Sequence, residues 1–122
     1  MDDTNSSKYK VAVASTDGET VNQHYGRAEV FYIYDVDDNE GYDLTEKRTV
    51  SPVCMGGSHL KNEMEESVRR FLDCKYIAAS RIGDGALSVM GGNGITGMEL
   101  PGSIDDAILK IWKYNRTQRL FG

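Results

Sequence analysis

The chain has 122 residues, of which 39% are hydrophobic and 27% are charged, as expected for an ordinary globular domain. Nineteen acidic residues against fourteen basic ones give a net charge of −5, the wrong sign for a protein that mainly neutralises nucleic-acid phosphates. No apolar run reaches the roughly 20 residues that a membrane-spanning helix needs, and residues 1–7 lack the apolar region of a signal peptide. We therefore expect a cytoplasmic protein without nucleic-acid or membrane partners, consisting of a flexible tail over 1–7 and a single domain over 8–122.

Three β-prone segments open the chain. Residues 9–15 are short and apolar and are followed by a turn sequence at 16–18, which predicts a strand. Residues 30–36 are rich in aromatic and β-branched side chains, and residues 42–50 alternate loosely, so each segment also predicts a strand. Because residues 37–41 between them have the composition of a turn, we expect these two strands to form a hairpin.

The second half of the chain alternates helices with strands. After a glycine-containing loop over 51–58, an amphipathic helix is predicted by the helical spacing of Leu60, Met64, Val68, Phe71 and Leu72. Residues 75–80 predict a buried strand. Residues 83–90 then predict a short helix that the glycines of 91–94 end, and residues 95–100 predict a fifth strand.

The last helix has a recognisable start. Pro101 and Gly102 predict a turn, and the spacing of Ser103 and Asp106 resembles a capping box. An apolar face for this helix is supplied by Ile104, Ile108, Ile111 and Trp112.

The order of these elements predicts the fold class. Short connections make the first three strands an antiparallel meander, whereas the later strands alternate with helices and should run parallel through right-handed crossovers. The result is an α/β fold of the ribonuclease H-like type, with a mixed five-stranded sheet flanked by helices. Nuclease activity is not expected, because the middle of the first strand, residues 11–14, has none of the paired carboxylates that hold two metal ions.

The loop after the first strand is a candidate ligand site. It contains His24, Gly26 and Arg27 just beyond the carboxyl end of that strand, where ligands of open α/β sheets tend to bind. The alternative is a surface loop whose histidine makes only local hydrogen bonds.

A second candidate is the loop before the first long helix, which contains Cys54, Gly56, Gly57 and His59. Sulfur and imidazole ligands suit iron, zinc or copper, and the helix that follows would favour an anion at its start. The alternative is a flexible loop with an incidental thiol. Cys74, at a helix end entering a strand, is predicted to be a buried structural thiol.

The turn after the fourth strand is a third candidate, because Arg81 and Gly83 precede a helix whose free N–H groups can receive an anion. Its sequence is not a dinucleotide fingerprint or a P-loop, so no nucleotide is predicted. The alternative is a tight strand-to-helix turn. No spacing in the chain assembles a nucleophile, a base and an orienting acid, which favours a binding module over an enzyme.

Taken together, these segments resemble the family of dinitrogenase iron-molybdenum cofactor biosynthesis proteins, which includes the NifX and NafY carriers and the C-terminal domain of NifB. Tyr25 replaces the phenylalanine that is usual in the family's His-Phe-Gly-Arg/Lys-Ala pattern. The resemblance spans about residues 8–114 and rests on residues 10–15 with Asp17 and Gly18, residues 24–28, Phe31, Cys54, Gly56, Gly57, residues 72–74, residues 81–83, Gly94 and Ile95.

The resemblance implies a ribonuclease H-like fold and a non-enzymatic function, the binding and transfer of an iron-sulfur or iron-molybdenum cluster as transient cargo. It implies His24, Cys54 and His59 as metal ligands, and Arg27 and Arg81 as countercharges. The implied backbone contacts to the cluster come from Gly26, Gly56, Gly57 and Gly83. Donor and acceptor proteins of cofactor assembly are the implied partners, and the chain is expected to be a monomer or weak homo-oligomer. The alternative is a metal-free interaction or regulatory domain that docks on a cluster-building enzyme.

Overall fold

The computed structural model describes residues 8–51 and 60–121 of the chain. In chain order the elements are β1 (Tyr9–Ala14), β2 (Thr20–Val21), a 3₁₀ helix (Tyr25–Arg27), β3 (Val30–Val36), β4 (Tyr42–Thr49), α1 (Leu60–Arg69), β5 (Tyr76–Ala79), α2 (Asp84–Gly92), β6 (Thr96–Glu99), β7 (Gly102–Ser103) and α3 (Ile104–Phe121). No helix among the described residues is long and apolar enough to cross a membrane.

Within these described residues, the main sheet has five strands in the order β4-β3-β1-β5-β6. The pairs β1–β3 and β3–β4 are antiparallel, whereas β1–β5 and β5–β6 are parallel. The predicted mixed sheet, its hairpin and its parallel half are therefore confirmed. The central strand β1 is buried on both faces over residues 11–14, as its nearly continuous apolar sequence predicts.

Alternation along the strands divides the core into two layers. On one face, Phe31 and Ile33 pack with the buried side chains of α1 and α2, among them Val68 and Met90. The buried side chains on the other face are Val11, Val13, Tyr76, Ile108 and Ile111, with α3 as the covering helix. The predicted apolar face of α3 is confirmed, and the amide of Asp106 donates to the Ser103 hydroxyl at 3.1 Å, as in the predicted cap.

The end of α1 corrects one prediction. The helix ends at Arg69, and the chain turns through the next four residues, so the helical period no longer decides which side chains face the core. Phe71 is buried as predicted, but Leu72 is 55% exposed and does not belong to the apolar face. Cys74 is buried, which confirms its predicted position, and burial raises the pKa of its thiol to about 12.

Two further details differ from the sequence prediction. Helix α2 continues through Gly91 and Gly92, and the chain leaves it at Asn93 and Gly94, where a backbone φ of +77° suits glycine. Gly102, predicted only as part of a turn, also pairs in β7 with β2 to form a separate two-stranded sheet. This small sheet joins the loop after β1 to the start of α3.

Candidate functional site

The loop after β1 and the turn after β5 meet at the carboxyl ends of these two parallel strands. His24 and Arg81 form a parallel backbone bridge. The Tyr25 amide donates to the Arg81 carbonyl at 2.9 Å, and the Ser80 amide donates to the Gln23 carbonyl, also at 2.9 Å. Two segments that are far apart in sequence therefore form one wall, at the sheet edge where open α/β folds tend to bind ligands.

Asp17 holds the start of this loop. Its carboxylate accepts hydrogen bonds from the amides of Glu19 and Thr20, each at 2.8 Å, and from the hydroxyl groups of Ser15 and Thr20. These hydrogen bonds hold the pKa of Asp17 well below its usual range. Asp17 thus orders the backbone of the loop that leads to His24.

Between the two segments and α1 lies a cleft of about 410 Å³. Its described lining contains one histidine, two arginines and no carboxylate: His24, Tyr25, Gly26, Arg27, Met64, Arg81, Gly83 and Ala86. His24, Arg27 and Arg81 are exposed. In a chain of net charge −5, this lining therefore makes the cleft locally positive.

The two glycines leave the backbone of the cleft accessible. A Cβ atom added at Gly26 or Gly83 would meet nothing within 4 Å. Gly83 is also the N-cap of α2, and no side chain caps this helix. The positive end of the α2 dipole therefore lies at Gly83, next to the acidic side chain of Asp84 in the first turn. The Ile82 amide is already used, since it donates to a Glu99 carboxylate oxygen at 2.8 Å.

Tyr25 is a cleft residue that sequence reasoning did not select. Its ring is buried against Phe31 and Phe71, and its hydroxyl lies 2.5 Å from the Ser67 hydroxyl of α1. Burial raises the pKa of Tyr25. The signal in the sequence was the tyrosine at the position where the resemblance described above expects phenylalanine. Met64 and Ala86 also line the cleft. The sequence placed Met64 on the apolar face of an amphipathic helix and Ala86 within the short helix predicted for residues 83–90.

The structure brings together five of the predicted site residues: His24, Gly26, Arg27, Arg81 and Gly83. Cys54, Gly56, Gly57 and His59 lie outside the described residues. Helix α1, which follows that segment, borders the cleft through Met64. Within 8–51 and 60–121, no group of three His, Cys, Asp or Glu side chains is arranged to hold a metal ion.

A comparison with family models identifies residues 7–114 as a match to the model described as dinitrogenase iron-molybdenum cofactor. The chain belongs to this family. The match covers most of the chain, including the loop after β1, the turn after β5, helices α1 and α2, and α3 as far as Tyr114. The resemblance predicted from the sequence is therefore confirmed.

Among the curated relatives of this chain are two proteins named FeMo cofactor biosynthesis protein NifB. The protein from Chlorobaculum tepidum is 31% identical over 103 residues, and the match covers 84% of this chain and 23% of the relative. The protein from Frankia alni is 31% identical over 104 residues, covering 83% of this chain and 20% of the relative. The chain thus spans about a quarter or less of the length of these relatives.

Two solved structures have a similar fold. The crystal structure of PH0822 matches with a TM-score of 0.58 and 22% identity, over 85% of this chain and 90% of that one. The NMR structure of the Thermotoga protein TM1290, described as NifB-like and of the DUF35 family, matches with a TM-score of 0.54 and 20% identity, over 88% and 90%. At 20–22% identity, the similarity to these two structures establishes only the fold of this chain.

Proposed function

We propose that this chain is a non-enzymatic binding domain for an iron-sulfur or iron-molybdenum cluster, or a precursor of one, which it holds transiently during cofactor assembly. The observation that supports this most is the grouping of His24, Arg27 and Arg81 in one cleft, with glycine backbone beside them. Each of these residues was expected at the site from the sequence, and they come from two segments that meet only in the folded chain.

The charge of the cleft suits such cargo. Clusters built from iron, sulfide and thiolate carry net negative charge, which positive side chains and backbone N–H groups stabilise. Arg27 and Arg81 supply the charge, and the uncapped start of α2 supplies N–H groups. His24 supplies an imidazole that can bind iron directly.

An incomplete ligand set also suits a carrier. A resident structural metal usually has four protein ligands, whereas cargo that must leave needs fewer and an accessible site. We propose His24 and Cys54 as direct ligands and His59 as a third. In this scheme Gly26, Gly56, Gly57 and Gly83 let the backbone approach the cluster. Donor and acceptor proteins of cofactor assembly would then be the partners.

The test is anaerobic binding of ferrous iron and sulfide, followed by the charge-transfer absorption of the bound cluster. We expect His24→Ala and Cys54→Ala each to lower affinity at least about tenfold, as loss of a ligand or of its support does in metal sites. Arg81→Gln should weaken binding, because it removes charge from the cleft while its backbone bond to Tyr25 remains.

Arg69→Gln is the matched control, since Arg69 is an exposed arginine of α1 outside the cleft lining. It should leave binding unchanged. Undiminished affinity in both alanine variants would remove His24 and Cys54 from the site. Equal losses in the Arg69 and Arg81 variants would mean that the overall charge of the chain, and not the cleft, governs binding.

We also assign the fold to the ribonuclease H-like class. Support comes from the strand order, with three antiparallel strands followed by two parallel ones and helices on both faces. Because the middle of β1 has no carboxylate, assignment to this fold class does not imply a nuclease site in this chain.

A second candidate function is a metal-free domain that docks on a cluster-building enzyme. The observation in its favour is that the matched region makes up only 20–23% of the NifB relatives, so there it is joined to a much longer protein. The discriminating result would be stoichiometric binding of the metal-free chain to such an enzyme, with an affinity that added iron and sulfide do not alter.

A further inference from the structure

A cavity of about 450 Å³ lies between α3 and the turn of the β3–β4 hairpin. Its volume is within the usual range of small-molecule sites, about 300–1,000 Å³. Its described lining shares no residue with that of the His24 cleft. The lining consists of Asp38, Asn39 and Glu40 on the turn, and of Trp112, Asn115, Arg116 and Arg119 on the helix.

Asn115 is the buried polar residue of this cavity. Its side chain is only 3% exposed, and its Oδ1 atom accepts hydrogen bonds from Lys75 Nζ at 2.6 Å and from the Tyr76 hydroxyl at 2.7 Å. Because the oxygen of an amide accepts and its NH₂ group donates, these two bonds fix which way round the Asn115 amide lies. No described residue accepts a hydrogen bond from its Nδ2 group. Buried donors are nearly always paired, so this NH₂ group is available to an acceptor in the cavity.

The charged side chains of the cavity leave one group of each sign without an ion pair. Arg119 and Asp38 pair with each other at 2.5 Å. Neither Glu40 on the turn nor Arg116 on the helix forms an ion pair with a described residue. Arg116 lies over the Trp112 ring, 5.4 Å from its centroid. The cavity therefore offers a carboxylate on one wall, and a guanidinium and an amide donor on the other.

The turn holds the backbone of Glu40 in a fixed and uncommon conformation. Glu40 has a φ of +68°, which few residues other than glycine adopt. The Asp37 carboxylate accepts hydrogen bonds from the amides of Asn39 at 2.8 Å and Gly41 at 2.9 Å, and the Asp37 amide donates to the Gly41 carbonyl at 2.9 Å. These bonds on both sides of Glu40 keep its carboxylate on the wall that faces α3.

From these groups we propose that the cavity binds a small zwitterion of the α-amino-acid class. The ligand carboxylate accepts hydrogen bonds from Arg116 and from the Asn115 Nδ2 group, and the ligand ammonium group donates to Glu40. A ligand with only one charge would leave the charged group on the opposite wall without a partner, so both charges are required. This proposal does not depend on the cluster site, because the two sites share no described residue.

The test uses the fluorescence of Trp112, which is the only tryptophan in the chain and lines the cavity. The chain is titrated at neutral pH with glycine, glutamate, arginine and phenylalanine, each up to about 10 mM, and binding is checked by calorimetry. We expect saturable binding of at least one of them with a Kd of about 1 mM or lower. Its N-acetyl derivative, which lacks the ammonium group, and its amide, which lacks the carboxylate, should each bind at least about tenfold more weakly.

Three variants and a control locate the binding. Asn115→Asp keeps the acceptor for Lys75 and Tyr76 but removes the NH₂ donor, so it should weaken binding at least about tenfold with unchanged circular dichroism. Arg116→Gln and Glu40→Gln should each have a similar effect. Lys113→Gln, at an exposed position of α3 outside the cavity lining, should have none.

Three results would overturn the proposal. The first is a wild-type chain that shows no saturable binding of any of the four amino acids. The second is an N-acetyl or amide derivative that binds as tightly as its parent, which would mean that only one charge is recognised. The third is an equal loss of affinity in the Lys113 and Arg116 variants, which would place the binding outside this cavity.

Discussion

The hydroxyl pair between Tyr25 and Ser67 gives the sharpest test of how the cleft is built. Tyr25→Phe keeps the ring and its contacts with Phe31 and Phe71 but removes the hydroxyl group. Tyr25 is 3% exposed and Ser67 is 8% exposed, so water replaces the lost partner poorly. A buried hydroxyl left without its partner costs about 1–2 kcal/mol of unfolding free energy.

The assay is urea unfolding at neutral pH. With a slope of about 2 kcal/mol per molar urea, the middle of the usual range, this cost moves the midpoint down by roughly 0.5–1 M at constant slope. Ser67→Ala should cost a similar amount. The double variant should cost clearly less than the two singles together, because the second substitution removes a group that has already lost its partner.

An unchanged midpoint in Tyr25→Phe, or two single effects that simply add, would refute this role of the hydroxyl pair. Additivity would mean that the two hydroxyl groups do not depend on one another.

Three other predictions concern packing and charge elsewhere in the chain. Gly97→Ala should destabilise by about 1–3 kcal/mol in urea unfolding, because its Cβ would lie 2.6 Å from the Met90 sulfur; Gly91→Ala, in open space on α2, should stabilise slightly. Asp17 has a lowered folded-state pKa, so its stabilising effect is complete above the usual aspartate pKa of about 4 and is lost as the pH falls. The stability difference between wild type and Asp17→Asn should therefore shrink between pH 7 and pH 3, and a constant difference would contradict this. Arg48→Lys keeps the positive charge but loses the forked hydrogen bonds of the guanidinium group to the carboxylates of Glu46 and Asp73. We therefore expect the free energy of unfolding to fall by about 1 kcal/mol in urea unfolding.

Local patterns in the sequence were enough to predict most of the helices and strands. The strand at 30–36 was predicted with its observed limits, because aromatic and β-branched side chains bounded by turn residues leave few alternatives. Leu72 was misplaced because the helical period was extended past Arg69, where the chain had already left the helix. The β2–β7 pair had no local signal, since each strand is only two residues long and the pairing joins distant segments.

The candidate cleft was predictable in part. His24 and Arg81 follow strands that end at the same sheet edge, so their loops could be expected to meet there. Tyr25 could not be selected by that reasoning, because its role depends on Ser67, which lies 42 residues further along the chain on a helix whose packing direction the sequence does not specify. Met64 was likewise assigned to the core by its spacing, although it also borders the cleft.

The most direct test of the central claim is iron and sulfide analysis, with a visible spectrum, of the chain after it has been offered ferrous iron and sulfide under strict anaerobiosis. A cluster-binding domain retains iron and sulfide in stoichiometric amounts, shows charge-transfer absorption, and loses both in the His24→Ala variant. Wild-type protein that retains neither, or a His24→Ala variant that retains as much as the wild type, would contradict the proposed cluster site at this cleft.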